Sequence, residues 1–526
     1  MAETSDIVVI GSGHNGLVAA AYLAKAGKKV TVLERQPWFG GGVVTRDLTL
    51  PGFHHDQHSM AHIFIQANPL IKNDELGLIS KYGMKYTYPE MPTISVFPDG
   101  ETIPLWRDRQ KNYRELARFS KKDAESYLRF AELAAAYLPL LTGGLFIPPA
   151  PVGAMYAMMD QSREGRAMFQ VMQKSGYDIV TEWFENDRIR LHFIRIVSEH
   201  LVGPEEKGTG LGLFMFLAFL EQYGIGVPVG GSGTLTHALA KLIEDHGGEV
   251  ITGVDCDRII VKSGRAAGVH ARDGREFMAK DGVIGAIHPH DLGNFVAEVD
   301  KDVASDAAKT EIGANCVFTI HAALDEPLQY KAGNHVGQAM MIELLPPSLN
   351  DLREHFDDLR YGRMPRARLV GLGSPSNLDP TRAPAGKATM HAWDYCPYEH
   401  PQGGAQAWDD CKREFADSML EHMGQFIGNL TPANILAHHD DSPLDMERTS
   451  SSFRRGDIHG IAPVAYQSGA HRPTPELGQY TVPGVERLYL VGPFQHPGGG
   501  VFGAGRCTAI KMFDDLRLNF DKIVAR

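Results

Sequence analysis

The stretch DIVVIGSGHNGLVAAAYLAKAGKKVTVLERQ, residues 6–36, decides the fold. Its apolar run Ile7–Ile10 is typical of a strand that is buried on both faces of a parallel sheet. An alanine-rich helix is predicted over Leu17–Lys25, after a glycine-rich turn, and a second apolar strand follows over residues 28–34. Strand, glycine turn, helix and strand in this order predict a Rossmann-type nucleotide-binding unit.

The turn carries the pattern GxGxxG, and each glycine in it has a physical reason. Gly11 permits the tight turn, Gly13 leaves room for a pyrophosphate against the backbone, and Gly16 lets the helix pack on the strand. The helix N-terminus offers free N–H groups and the positive end of its dipole to phosphates. Glu34 ends the second strand about 20 residues after Gly11, where an acid binds ribose hydroxyls and disfavours the 2′-phosphate of NADP.

Length and composition bound the class of protein. A chain of 526 residues is longer than one hydrophobic core usually serves, so we expect two domains or one nucleotide domain with a large insertion. A net charge of -12 argues against nucleic acid as a partner. The five cysteines never form CxxC, which disfavours a disulfide framework or a zinc site and indicates a reducing compartment. No basic segment precedes the first strand, so we predict no secretory signal.

A second glycine-rich stretch lies close to the C-terminus. It reads LYLVGPFQHPGGGVFGAGR, residues 488–506, and begins with an apolar strand, 488–491. Clustered glycines cost backbone entropy, so such a loop indicates that a ligand approaches the main chain closely. We therefore expect the two ends of the chain to meet around one ligand.

Three separated stretches carry a resemblance to a known family. They are the N-terminal unit with its continuation RQPWFGGGVVTRDLTLPGFHHD, residues 35–56, the middle stretch 224–289, and the C-terminal stretch 488–506. Together they resemble the glutathione-reductase-type FAD superfamily. Within it, the chain is similar to the phytoene desaturase-like group, in the branch that contains pyridine nucleotide-disulphide oxidoreductase domain protein 2.

The resemblance implies FAD as the cofactor and assigns the contacts. Val254 would lie near the adenine and Gly492 near the pyrophosphate and ribitol, while the last glycines would lie along the isoalloxazine edge. The full set of expected cofactor contacts is Gly11, Gly13, Gly16, Glu34, Arg35, Gly41, Gly42, Val254, Gly492, Gly499, Gly500 and Val501.

The fold class that follows is α/β, a Rossmann-type FAD-binding domain with an inserted α+β substrate domain. The FAD-binding domain is expected to be discontinuous. Its segments would be residues 1–85, 224–299 and 471–526, and the substrate domain, with a helical apolar part, would take residues 86–223 and 300–470.

The stretch Leu133–Met159 contains no charged residue. Its glycines and prolines argue against a membrane-spanning helix. Two interpretations remain: a buried helix pair joined by a loop, or an apolar substrate tunnel or patch that dips into a membrane. A second apolar piece, residues 210–224, is predicted to be tunnel wall or core.

The catalytic candidates are three polar residues near the expected flavin: His58, Asp56 and His496. His58 and Asp56 lie where the chain would run from the flavin into the substrate domain, so either would face the substrate. His496 has two interpretations: it braces the C-terminal turn, or its imidazole reaches the flavin or substrate and accepts a proton. We predict no metal, although His58 and His62 have helical ligand spacing. The stretch HHDD, His438–Asp441, is interpreted as a solvated loop.

The resemblance implies an FAD-dependent oxidoreductase, a dehydrogenase or desaturase. It would transfer a hydride from an apolar substrate to flavin N5 and form a C=C or C=N bond. The alternatives are a flavin-dependent isomerase or saturase and, in another class, a non-catalytic binder of the Rab GDP dissociation inhibitor type.

The expected partners are a lipophilic small molecule and an electron acceptor such as oxygen or a quinone. No nucleic acid is expected. The location would be cytoplasmic, or peripheral to a membrane if residues 133–159 touch one. The sequence predicts no oligomeric state.

Overall fold

The computed structural model of the protein describes residues 3–199 and 201–525. The strands there are β1 (Glu3–Ile10), β2 (Val30–Glu34), β3 (Thr45–Arg46), β4 (His55–Asp56), β5 (Tyr86–Thr87), β6 (Thr93–Val96), β7 (Thr102–Leu105), β8 (Val227–Pro228), β9 (Glu249–Thr252), β10 (Cys256–Lys262), β11 (Arg265–Ala271), β12 (Glu276–Gly285), β13 (Cys316–Leu324), β14 (Met341–Leu344), β15 (Val370–Gly373), β16 (Ala388–Cys396), β17 (Ile435–Asp441), β18 (Thr481–Val482) and β19 (Val485–Leu490).

The α-helices alternate with these strands or cluster beside them. They are α1 (His14–Lys25), α2 (Pro69–Lys72), α3 (Arg109–Ala117), α4 (Lys121–Leu145), α5 (Val152–Asp160), α6 (Arg163–Gln173), α7 (Gly176–Trp183), α8 (Asp187–Ser198), α9 (Gly210–Gln222), α10 (Gly233–Asp245), α11 (Leu292–Phe295), α12 (Lys301–Ala308), α13 (Leu349–Arg360), α14 (Trp408–Gly424), α15 (Pro443–Thr449), α16 (Ala504–Asp515) and α17 (Phe520–Val524).

The larger sheet carries the nucleotide-binding unit. Its order is β10-β11-β19-β12-β1-β2-β9, and β18 pairs with β19. The central strands run parallel, with Ile7 opposite Val30 and Ile10 opposite Leu33. Helix α1 packs against α10 and α16, so the apolar strands are covered and fully buried. The predicted Rossmann-type unit is confirmed, and α1 begins three residues before the expected position.

The smaller sheet has the order β17-β13-β16-β15-β14-β6-β7 and is antiparallel except where β14 pairs with β6. One face of β13 buries Phe318, Ile320 and Ala322 in an apolar core beneath α14. Because side chains alternate along a strand, the residues between these point to the other face, which carries Thr319 and His321.

The two sheets are formed by different segments of the chain. All strands of the larger sheet fall within the segments expected for FAD binding, and all strands of the smaller sheet fall within those expected for the substrate domain. The fold class is confirmed, whereas the domain boundaries at individual residues stay a prediction.

The uncharged stretch 133–159 forms the end of α4, a loop and α5. The helix pair with a connecting loop matches the first of the two interpretations, but the burial that it implied does not extend to α5, none of whose residues is buried. Leu140 and Met158 are each 60% exposed. Among the helices of the described ranges, none has the length and apolarity needed to cross a membrane. By contrast, α9 is largely buried in the core, as one interpretation expected.

Candidate active site

A cavity of about 530 Å³ opens at the carboxyl ends of β1 and β2. Its size is typical of a small-molecule or cofactor site. Its wall combines the N-terminal glycine turn, the end of β2, the C-terminal glycine loop and a segment near residue 453. The expected cofactor contacts that line it are Gly11, Gly13, Gly16, Glu34, Arg35, Gly41, Gly42, Val254, Gly492, Gly499 and Gly500. Val501 lies in the adjacent apolar core instead.

Two glycines of the turn have different roles: Gly13 leaves space for a ligand, and Gly16 allows two parts of the chain to pack closely. A Cβ at Gly13 would meet no atom within 4 Å, so the open space lies in the cavity. A Cβ at Gly16 would come within 2.4 Å of the Gly11 carbonyl oxygen, so that glycine is needed for packing. Helix α1 begins beside the cavity without a side-chain cap or an acidic residue in its first turn. This arrangement fits a pyrophosphate.

Glu34 is held in place at the end of β2. Its Oε2 accepts hydrogen bonds from the Ser12 backbone N–H at 3.0 Å and the Ser12 hydroxyl at 2.6 Å. Its Oε1 accepts one from the Gln36 backbone N–H at 2.9 Å. A carboxylate oxygen accepts two hydrogen bonds, so Oε1 retains a lone pair for a ribose hydroxyl. The backbone N–H of Val254 donates to the Glu34 carbonyl at 2.7 Å, which brings the expected adenine contact beside the acid.

The opposite end of the cavity is closed by two glycine loops packed on residues 449–459. A Cβ at Gly499 would lie 2.5 Å from His459 Cα, and one at Gly42 would lie 2.8 Å from the Phe453 ring. Glycine is required at both positions because these segments touch. With glycines at both ends and an acid at one, the residues present fit FAD.

The segment 449–459 was not predicted to take part in the cofactor site. It lies in the range assigned to the substrate domain, yet Thr449, Ser450, Phe453 and His459 line the cavity. The only signal for it in the sequence is the stretch SSSFRRGDIHG, residues 450–460, which is largely polar and has no periodicity.

His58 is the catalytic candidate that lines the cavity. Its ring meets Phe453 edge to face at a centroid distance of 5.0 Å. Within the described part of the chain, neither of its ring nitrogens has a hydrogen-bond partner. Burial lowers the pKa of His58 to about 4. The imidazole is therefore neutral near pH 7 and has a lone pair that can accept a proton, while its low pKa makes it a weak base.

Asp56 has a different place from the one expected. Its Oδ2 lies 2.5 Å from Arg382 Nη2, in a pair without exposed surface. Its Oδ1 accepts hydrogen bonds from the Ser232 backbone N–H at 2.8 Å and the Thr45 hydroxyl at 2.6 Å. Both carboxylate oxygens are thus engaged by protein groups, so Asp56 holds segments together and does not face the cavity.

His496 points away from the cavity, toward the end of α4. Its Nε2 lies 3.0 Å from the Gly144 carbonyl oxygen, and its own carbonyl accepts a hydrogen bond from the Tyr480 hydroxyl at 3.1 Å. Burial lowers the pKa of His496 to about 4. A neutral imidazole that donates to Gly144 is placed to brace the loop, which is the first of its two interpretations, and His496 does not belong to the cavity lining.

The solvated loop expected for His438–Asp441 is wrong, since these residues end strand β17. Strand β17 lies at the edge of the sheet, where polar residues are tolerated, so its polar composition resembles that of a loop. Side chains alternate, so His438 points away from the polar sheet face, while His439 and Asp441 lie on it. His439 Nε2 lies 3.1 Å from Asp441 Oδ1, and the Gln57 amide donates to Asp441 Oδ2 at 3.0 Å.

Two further histidines lie on this polar face and were not singled out from the sequence. His321 on β13 is directly opposite His391 on β16, and their ring centroids are 4.3 Å apart. His55 meets the ring of His321 at 5.6 Å. No His, Cys, Asp or Glu cluster suited to a metal occurs in residues 3–199 and 201–525. The signal that could reveal the pair is register alone, since the residues are far apart in sequence.

The chain is similar to one family of known proteins and to several of its relatives. Residues 16–358 match the family described as flavin containing amine oxidoreductase. A limonene dehydrogenase chain of Castellaniella defragrans is 27% identical, over 99% of this chain and 97% of that protein. Pyridine nucleotide-disulfide oxidoreductase domain-containing protein 2 of Rattus norvegicus is 28% identical, over 97% of this chain and 94% of that protein. Phytoene desaturases are also similar to the chain.

A solved structure shows the same fold. The crystal structure of an oxidoreductase from Methanosarcina mazei superposes with a TM-score of 0.63 at 18% identity, and covers 97% of this chain and 99% of that one. The predicted resemblance to phytoene desaturase-like FAD proteins is confirmed by the family and its relatives.

Proposed function

We propose that this chain, a member of the flavin containing amine oxidoreductase family, dehydrogenates an apolar substrate and forms a C=C or C=N bond. The family match shows that the chain is an FAD-dependent oxidoreductase. One observation carries this proposal: a single cavity joins a glycine-lined cofactor cradle to a buried, neutral histidine. A redox cofactor and a proton acceptor in one enclosed site are what a dehydrogenation needs.

The chemistry divides between cofactor and chain. When bound, FAD supplies the acceptor for the hydride. Gly13 and the start of α1 would hold the pyrophosphate, Glu34 would bind the ribose, and the loop containing Gly499 would contribute to holding the flavin end. His58 accepts the proton that leaves the substrate, because its ring is neutral, lines the cavity and has two free nitrogens within the described residues. Phe453 lines the cavity beside His58 and supplies an apolar surface there.

An apolar substrate is favoured by two kinds of observation. Two relatives are named for limonene and for phytoene, which supports a lipophilic substrate for this chain as well. The wall of the cavity includes the apolar side chains of Phe453, Ile458 and Phe502. The electrons would then pass to an acceptor such as oxygen or a quinone.

We further propose that the end of α4 and helix α5 contact a membrane surface peripherally. The exposed apolar residues there are Leu140, Ile147, Tyr156, Met158 and, on α6, Phe169. Large exposed apolar patches mark interaction sites. The segment is tied to the C-terminal part of the FAD-binding domain, because Arg506 donates to the Phe146 carbonyl at 2.7 Å and Gln479 donates to the Pro149 carbonyl at 3.2 Å. A lipophilic substrate dissolved in a bilayer would reach the enzyme on this side.

Sedimentation with phosphatidylcholine vesicles tests this contact. The double variant L140E/M158E is expected to lose vesicle binding because it places two charges in the apolar patch. Tyr361→Glu is the matched control, since Tyr361 is 69% exposed and lies at the end of α13. This variant should leave vesicle binding unchanged. Wild-type protein that stays in the supernatant at all lipid concentrations would contradict the membrane contact.

Anaerobic mixing of the holoprotein with lipophilic alkenes, cyclic ketones and amines tests the proposed reaction. A dehydrogenase substrate bleaches the oxidised flavin band without any other reductant. An isomerase or saturase would convert substrate with no net bleaching. A colourless protein that cannot be loaded with FAD would favour the non-catalytic binder of the Rab GDP dissociation inhibitor type.

A further inference from the structure

Three buried histidines beside the active site have an unusual shortage of hydrogen bonds. In the described part of the molecule, neither ring nitrogen of His58, His321 or His391 has a partner. An imidazole always carries polar nitrogens, and a buried polar group without a partner costs free energy. Six such nitrogens in one region therefore require small polar partners between them, and water is the partner that fits such spaces.

The histidines form a row across the smaller sheet. His391, His321 and His439 occupy directly opposite positions on β16, β13 and β17. Their ring centroids are 4.3 Å apart for His391 and His321, and 6.3 Å apart for His321 and His439. The rings of His321 and His391 are in contact, so ring rotation or a water that bridges nitrogens at the ring edges would link them, whereas the larger separation of His321 and His439 leaves room for one water molecule.

The two ends of the row lie in different environments. Near the inner end, strand β4 packs against β16, and His58 follows β4 by two residues and lines the cavity. Gln57, the residue before His58, donates to Asp441 Oδ2 at 3.0 Å, and the ring of His55 on β4 lies 5.6 Å from that of His321, so the segment that carries His58 lies against the row. At the outer end, 37% of the His439 side chain is exposed to solvent.

We propose that His58, His391, His321 and His439 form a proton path from the active-site cavity to solvent. His58 is the group that contacts the substrate, and the other three are relay residues that act through it. The path rests on the proposed dehydrogenation: the substrate loses a hydride to FAD and a proton to His58, a double bond forms, and the proton leaves through the row to bulk water.

The charges around the row favour outward transfer. Burial lowers the pKa of His58 and of His391 to about 4, and it lowers that of His321 well below the usual range. The hydrogen bond to Asp441 raises the pKa of His439, so the outer end is the most basic. The charged and titratable groups that face the row are Arg46, His55, Asp56, Arg382, Lys412, Asp440 and Asp441.

The neighbouring charges are largely compensated within the protein. Arg382 pairs with Asp56, and Asp441 accepts hydrogen bonds from His439 and Gln57. The histidines are then the groups free to exchange protons.

Hydrogen exchange at the imidazoles tests the path without a substrate. The FAD-loaded protein would be labelled with ¹⁵N-histidine, and ring signals would be assigned through single variants. We expect the ring protons of His58, His321 and His391 to exchange at least about a hundred times faster than the backbone amides of β13 and β16. His439→Gln should slow this exchange by about tenfold or more, because it removes the outlet to solvent.

His438→Gln is the matched control, since His438 precedes His439 on the same edge strand but points to the opposite face. It should leave ring exchange unchanged. His321→Gln supplies a second interruption in the middle of the row. Ring protons that exchange as slowly as the strand amides in the wild type, or equal rates in the wild type and both interrupted variants, would overturn the proton path.

The exchange experiment and the proposed reaction fail in different ways. Fast ring exchange in a protein that no substrate reduces would contradict the dehydrogenation and leave the path supported. Slow ring exchange in a protein that is bleached by a substrate would overturn the path alone.

Discussion

Asp56 and Arg382 form an ion pair in which neither side chain has exposed surface, with 2.5 Å between Oδ2 and Nη2. The pair joins the segment that follows the flavin glycines to the segment between two strands of the smaller sheet. Arg382 also donates from Nε to the His54 carbonyl at 3.0 Å. The relative position of the two sheets around the cavity thus depends on a buried charge pair.

Asp56→Asn is expected to lower the free energy of unfolding by about 3–5 kcal/mol, because it leaves a buried guanidinium without its counter-charge. Urea unfolding followed by circular dichroism measures the loss. Asp47→Asn is the control, since the Asp47–His54 pair is more than 40% exposed on both sides and should cost less than about 1 kcal/mol. Equal losses in the two variants would contradict the role assigned to the buried pair.

Gly13→Val is expected to give a folded protein without FAD. The backbone φ of Gly13 is -57°, which any residue adopts, and a Cβ there meets no protein atom within 4 Å. The added side chain would instead fill the space of the pyrophosphate. Absorbance of the flavin band after purification measures occupancy.

Gly424→Val is the control for that substitution, since its Cβ also meets nothing within 4 Å and it lies at the end of α14, far from the glycine turn. It should keep its flavin. A folded, fully yellow Gly13→Val protein would show that the pyrophosphate lies elsewhere.

Glu34→Ala is expected to weaken FAD binding by about 1.5–3 kcal/mol through loss of a charge-assisted hydrogen bond to the ribose. Titration of the stripped protein with FAD measures the change. Ser12→Ala removes a hydroxyl that positions the carboxylate but leaves the carboxylate and its charge in place, so it should have the smaller effect. Equal FAD affinities in wild type and Glu34→Ala would place the ribose elsewhere.

Stability should fall as the solution is acidified below pH 6.5. His391 has its pKa lowered from 6.5 to about 4, mainly by burial, so the unfolded chain binds a proton that the native state excludes. Its stabilising contribution is complete above pH 6.5 and is lost at about 1.4 kcal/mol per pH unit as the pH falls toward 4. The pKa of His58 is also lowered by burial, so its contribution to stability falls with pH in the same direction.

Urea unfolding at several pH values between about 4.5 and 7.5 measures that slope. His391→Asn should make the slope shallower by about 1.4 kcal/mol per pH unit, whatever its effect on stability at neutral pH. An unchanged slope in this variant would show that the pKa of His391 is the same in the native and unfolded states and is not lowered by burial.

The cofactor cradle could be predicted from the sequence because its signals are local. The glycines at 11, 13 and 16 and the acid at 34 are fixed by spacing within one supersecondary unit. The far end of the cradle was placed through resemblance, and the glycine loop that contains Gly499 and Gly500 does line the same cavity. Val501 differs because its side chain packs into the apolar core.

The histidine row could not be predicted because it exists only through register. His321, His391 and His439 come from three strands separated by long connections, and a one-residue shift would turn any of them to the other face. Composition was misleading for β17, whose polar residues look like a loop. Proximity in sequence was misleading for Asp56, which adjoins the flavin segment but is taken up by Arg382.

Anaerobic stopped-flow spectroscopy of the FAD-loaded protein tests the central claim most directly. We expect a lipophilic substrate to bleach the flavin in the wild type. The variant His58→Asn should retain FAD but be bleached far more slowly at every pH above about 4. Bleaching of the variant at the wild-type rate would contradict the assignment of His58 as proton acceptor. A protein that binds FAD but is reduced by no member of the substrate panel would contradict the dehydrogenation itself.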